Sequence, residues 1–164
     1  MPTRAVVRLA ERVTALEALF VDIAATRMQG IAILHPGLHV QALGFESAAG
    51  ENVAVGVLVT PWFMNLVWLP LDAQTTDTAA PGAIRDRVVG NETFPFIGAH
   101  EPGFGRYEVC SLYSPMAEFV DHAAAVATAQ AVLDELRRPV APPPAVDRSR
   151  RTLFLGRGST RAAA

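Results

Sequence analysis

Four histidines, one cysteine and scattered carboxylates are the groups in this 164-residue chain that could bind a metal or move a proton. His35 and His39 are four apart, but Pro36 and Gly37 between them rule out a shared helix face. No acid or cysteine stands beside them to complete a zinc or iron set. All four histidines, His35, His39, His100 and His122, therefore read as loop or surface residues. Cys110 is the single thiol, which excludes an internal disulfide framework and any zinc site built on clustered thiolates. A nucleophilic Cys110 with His100 or His122 as base defines one alternative, a small thiol-dependent redox protein or enzyme. Its place in a stretch that reads as a strand, near Val109 and Leu112, favours an inert core cysteine. The glycines between Gly98 and Gly105 lie in a turn and open no helix, so they form no phosphate loop or dinucleotide fingerprint. The reading is of a non-enzyme without metal or cofactor.

Two segments instead carry groups suited to contact. Residues 60–70, TPWFMNLVWLP, set Trp62, Phe63 and Met64 in a row, followed by Asn65 and a second tryptophan, Trp68. In an extended chain Trp62 and Met64 share one face and Phe63 takes the other. Such a cluster serves either as core and edge packing or as an adaptable surface for an apolar peptide. Residues 105–126, GRYEVCSLYSPMAEFVDHAAAV, run from a strand into a helix start. Met116, Phe119 and Val120 would fall on one helical face there.

The elements that position these groups follow from periodicity. Val6, Leu9, Val13, Leu16, Phe20 and Ile23 recur at spacings of three and four, predicting an amphipathic helix from Thr3 to about Arg27 with a solvated outer face. Strands are expected from His39 to Ala48, Asn52 to Thr60, Phe63 to Leu69, Ala83 to Val89, Thr93 to His100 and Arg106 to Tyr113. The clearest signal is the alternation of Val53, Val55, Val57 and Val59. Gln74 to Gly82 reads as a mobile loop. Ser114 and Pro115 suit the cap and first turn of a second helix ending near Arg138. The fold class is α+β: a two-layer sandwich with an antiparallel sheet of about five strands, and the N-terminal and C-terminal helices packed on one sheet face. Residues 1–138 form the domain, and residues 139–164 a flexible tail rich in proline and arginine.

No apolar run is long enough to cross a bilayer, and the first thirty residues carry charges throughout. A soluble, cytoplasmic protein is expected, with no membrane insertion. Charge divides unevenly: Asp147 to Ala164 holds five arginines and one aspartate, and the remainder nine arginines against fifteen acids. An acidic body argues against nucleic acid as partner and suits a cationic peptide.

The Pro61-Trp62-Phe63-Met64-Asn65 run, the Cys-Ser-Leu-Tyr-Ser-Pro-Met run at 110–116 with Glu118 and Phe119, and the order of elements between them resemble the HybE/HupJ family of nickel–iron hydrogenase assembly chaperones. The resemblance covers roughly residues 5–138. It implies a maturation chaperone that binds a hydrogenase precursor before export: the small subunit, its twin-arginine signal, or the large subunit. Some family members carry a fused rubredoxin, whose paired CxxC motifs are absent from this chain. The partner-binding residues implied are Pro61, Trp62, Phe63, Met64, Asn65, Ser114, Pro115, Met116, Glu118 and Phe119.

The tail holds one more pattern. Residues 149–155, SRRTLFL, resemble the twin-arginine pattern of export signals but lack a long apolar segment after it. Arg150, Arg151, Leu153 and Phe154 would then form a pseudo-signal able to occupy the chaperone's own groove.

Overall fold

The structure is a computed structural model that describes residues 1–48 and 50–143. Helix α1 spans Arg4–Ala25. Six strands follow, β1 Gln41–Ser47, β2 Val53–Val59, β3 Met64–Pro70, β4 Ile84–Val89, β5 Glu92–Glu101 and β6 Gly105–Tyr113, and helix α2 closes the fold at His122–Leu136. The strands form one sheet in the order β1-β2-β3-β6-β5-β4, and every pairing between them is antiparallel. The α+β class, the antiparallel sheet and the two flanking helices agree with the sequence, although the strands number six where about five were expected.

The helices lie on opposite faces, so the domain has three layers rather than two. Alternation along β2 and β3 explains this. Val57, Val59, Met64, Leu66 and Trp68 point to the side where Ala125, Ala129 and Leu133 of α2 pack. Leu58, Val67 and Leu69 point to the other side, against Leu16, Phe20 and Ile23 of α1. Both of these strands bury apolar side chains on both faces, as strands covered twice do. On α1, Val6 and Val7 are exposed, so the packed stripe starts later than the periodicity suggests. Arg12 departs from the solvated-face expectation. It is buried, donates from Nε to the Pro70 carbonyl at 2.9 Å and from a terminal nitrogen to the Phe104 carbonyl at 3.0 Å, and stacks on the Phe104 ring.

Edge strand β1 carries a bulge where its register with β2 shifts between Leu43 and Glu46. Gly44 sits in it at a φ of 59°, and a Cβ there would collide with the Leu133 side chain of α2. Glycine at this position lets the helix approach the sheet edge. The stretch expected as a mobile loop is pinned instead. Thr78 and Ala79 are buried, the Ala79 N–H donates to the Glu108 carboxylate at 2.6 Å, and the Gly82 N–H donates to the Gly98 carbonyl at 2.8 Å.

Candidate functional site

The turn between β2 and β3 places the first motif. The Thr60 N–H donates to the Phe63 carbonyl at 2.8 Å, while the Thr60 hydroxyl accepts from the N–H groups of Trp62 and Phe63 at 3.2 and 3.0 Å. This is a hairpin turn with Pro61 and Trp62 at its centre, so strand alternation does not apply to it. Trp62 is not on the face of Met64: Trp62 and Phe63 both fold toward Phe20 of α1. Met64 enters the opposite core, fully buried. Asn65 is also buried, and Pro61 and Phe63 are half-buried.

The second motif does not begin a helix. Helix α2 starts at His122, and its cap is Asp121, whose carboxylate accepts from the Ala124 N–H at 2.8 Å. Residues 114–121 form a turn-rich junction that buries Met116 and Phe119 beneath the α2-side core. Phe119 packs edge-on to Tyr113 with ring centres 5.1 Å apart. Its neighbour Val120, expected on the same face, is 84% exposed instead. Ser114, Pro115, Ala117, Glu118 and Asp121 are exposed with it.

His35 brings the two motifs together. Its backbone N–H donates to the Pro61 carbonyl at 2.8 Å, and its Nε2 meets the Phe119 carbonyl at 2.7 Å. Nδ1 accepts from the Gly37 N–H at 3.0 Å, so the Nε2–H tautomer satisfies both ring contacts. A second contact lies beside it. His39 and His122 stack with ring centres 3.5 Å apart, and His122 Nε2 meets the Gln41 side-chain oxygen at 2.7 Å. Three of the four histidines therefore tie residues 31–41 to the junction and to the start of α2. Sequence reasoning passed over His35, because its partners are distant in the chain.

Burial holds the His122 imidazole below the usual histidine range, assisted by His39 and opposed by Asp121. A depressed histidine pKa means that the unfolded chain binds the proton more readily. Stability is therefore complete above the ordinary histidine pKa of about 6.5 and falls as pH drops through the folded value. His122→Gln should flatten this acid-side loss, as read from urea midpoints between about pH 7 and pH 5.

Cys110 is half-buried against the α2-side core. Burial raises its thiol pKa, the opposite of what an activated nucleophile requires. Among the described residues no cluster of histidine, cysteine and carboxylate groups is arranged to hold a metal ion, and no helix is long and apolar enough to cross a membrane. The segment with Arg150, Arg151, Leu153 and Phe154 lies outside the described residues.

Comparison with known proteins places this geometry. Residues 11–156 match the family model described as NiFe-hydrogenase assembly chaperone, HybE. Protein HoxT of Cupriavidus necator is 46% identical over 160 residues, covering 90% of this chain and 89% of its own. The hydrogenase expression/formation protein HupT of Azotobacter chroococcum is 36% identical over 79% of this chain and 85% of its own. In fold, the solution structure of HybE from Escherichia coli superposes with a TM-score of 0.60, at 24% identity over 91% of each chain. The chain belongs to the HybE family of nickel–iron hydrogenase assembly chaperones.

Proposed function

We propose that this chaperone acts in the cytoplasm by binding a hydrogenase precursor, the small subunit or its twin-arginine signal before export, and that it works without turnover. The observation that carries this reading is the junction from Ser114 to Asp121. Its exposed residues, with Glu118, Val120 and Asp121 among them, combine apolar and acidic side chains, and we read them as a client-facing ridge. Buried Met116 and Phe119 and the His35 bond to the Phe119 carbonyl hold that ridge in shape. A preformed ridge spares a partner the entropy of ordering it. The described body carries nine arginines against fifteen acids, which steers a cationic signal segment toward it.

Of the residues implied by resemblance, Ser114, Pro115 and Glu118 are exposed and in this reading would touch a client, with Pro61 and Phe63 partly accessible. Trp62, Met64, Asn65, Met116 and Phe119 act from beneath as the frame. Affinity purification of the tagged chain from cells expressing the hydrogenase should recover the unprocessed small subunit. The variant Glu118→Arg/Val120→Asp should lose it while eluting and melting as the parent does. Recovery of the large subunit alone would move the client assignment, and recovery of neither would overturn the reading. The thiol alternative is tested by Cys110→Ala, which should retain maturation of the hydrogenase.

A further inference from the structure

A cleft lies at the C-terminal end of α2, remote from the junction. It measures about 570 Å³, within the range of ligand-sized pockets. Val55, Trp68, Leu133 and Leu136 give it an apolar lining, and Glu46 and Glu51 stand at its edge. A second cleft of about 350 Å³ shares Trp68 and Glu51; its Asp77 pairs with Arg85 at 3.2 Å and its Arg87 with Glu108 at 2.9 Å. The cations here are already engaged. Arg137 pairs with Glu46 at 3.2 Å and also donates to the carbonyls of Gly44 and Val55. Arg138 pairs with Glu135 at 2.8 Å. Glu51 has no ion pair among the described residues, which leaves its carboxylate available to an incoming cation.

We infer that this cleft binds a peptide segment made of adjacent arginines followed by apolar side chains, and that its resident occupant is residues 149–155 of the same chain. Three observations bear on the choice of occupant. The composition is complementary: Arg150 and Arg151 would meet Glu51, whose carboxylate has no ion pair among the described residues, and Leu153 and Phe154 the lining around Trp68. The route is short, because the chain leaves α2 past Pro139, itself part of the cleft wall. The eleven residues from there to Arg150 span at most about 40 Å, ample to turn back into a cleft that begins at Pro139. The family match also continues to residue 156, through this segment and past the described residues.

Tethering gives the segment an effective concentration of roughly millimolar. A free peptide of the same kind must compete with it, so its apparent affinity for the intact chain is lowered by that competition. That a hydrogenase signal is one of those binders rests on the proposed function; the docking itself does not.

The test uses the full chain with Leu153→Asp/Phe154→Asp, reading the indole N–H resonances of both tryptophans. Trp68 should shift, while Trp62, on the opposite face of the sheet, stays in place and reports an intact fold. A synthetic peptide of residues 146–158 should bind this variant at least tenfold tighter than the parent, and adding Glu51→Arg should abolish that gain. An unmoved Trp68 resonance, or equal peptide affinity for variant and parent, overturns the docking. A precursor signal peptide supplies the second arm. If it too binds the variant more tightly, displacement by a client is supported. If its affinity is unchanged while Trp68 shifts, the docking stands and signal recognition at this cleft is overturned.

Discussion

Replacing Glu108 by alanine is expected to destabilise the domain by about 3–5 kcal/mol in urea titration, the cost of leaving one member of a buried ion pair alone. Glu108 is completely buried on β6. It takes two parallel bonds from Arg87, both at 2.9 Å, and a third from the Ala79 N–H. The alanine variant strands that N–H and leaves the largely buried guanidinium over the Trp68 ring without its counter-charge. Edge strand β4, the 71–83 connection and Trp68 are all tied to this carboxylate, so the loss should spread beyond one contact. Arg87→Met/Glu108→Leu provides the control. Removing both charges should recover most of the stability, leaving a deficit of about 1–3 kcal/mol from the Ala79 N–H without a partner. Equal deficits in the single and double variants would show that the pair contributes through shape rather than charge.

This carboxylate also marks where the sequence becomes hard to read. The alternation of valines from Val53 to Val59 predicts β2 because neighbouring residues share one backbone geometry, and period two then reports burial directly. The TPWF stretch defeats the same rule. A turn centred on Pro61 and Trp62 interrupts the period, and Trp62 moves to the face opposite Met64. The start of α2 fails for a different reason. Ser114 and Asp121 both suit a helix cap, and local propensity cannot choose between them. The choice is made by burial of Met116 and Phe119 and by the His35 ring, whose bond to the Phe119 carbonyl joins residues 84 apart. Likewise, Glu108 sits in a strand that reads as ordinary alternation, and its partners Arg87 and Ala79 lie across a connection that reads as loose. Local periodicity thus reveals the elements and the residues with contact chemistry. Which of those residues face the core depends on long-range bonds with no local signature.

Phe119 and Val120 turn that distinction into an experiment. Phe119→Ala should cost about 3–5 kcal/mol, as expected for an aromatic side chain removed from a packed core. The ring is nearly inaccessible, sits edge-on to Tyr113, and belongs to the cluster that includes Leu38, Met64 and Met116. Removing it opens a void beneath the junction and frees the carbonyl that His35 holds. Precursor recovery should then fall along with stability, and lowering the temperature should restore part of both. Val120→Arg should behave differently. With 84% of its surface in solvent, Val120 contributes little to folding, and the change should stay within about 0.5 kcal/mol. Precursor recovery should nevertheless fall at every temperature, because the substitution puts a long charged side chain into the middle of the proposed contact with the precursor. If the two variants lose stability and binding in the same proportion, the junction is only a structural turn and the client surface lies elsewhere. If Val120→Arg loses binding while keeping its urea midpoint, the ridge is the contact and Phe119 is the support on which it stands.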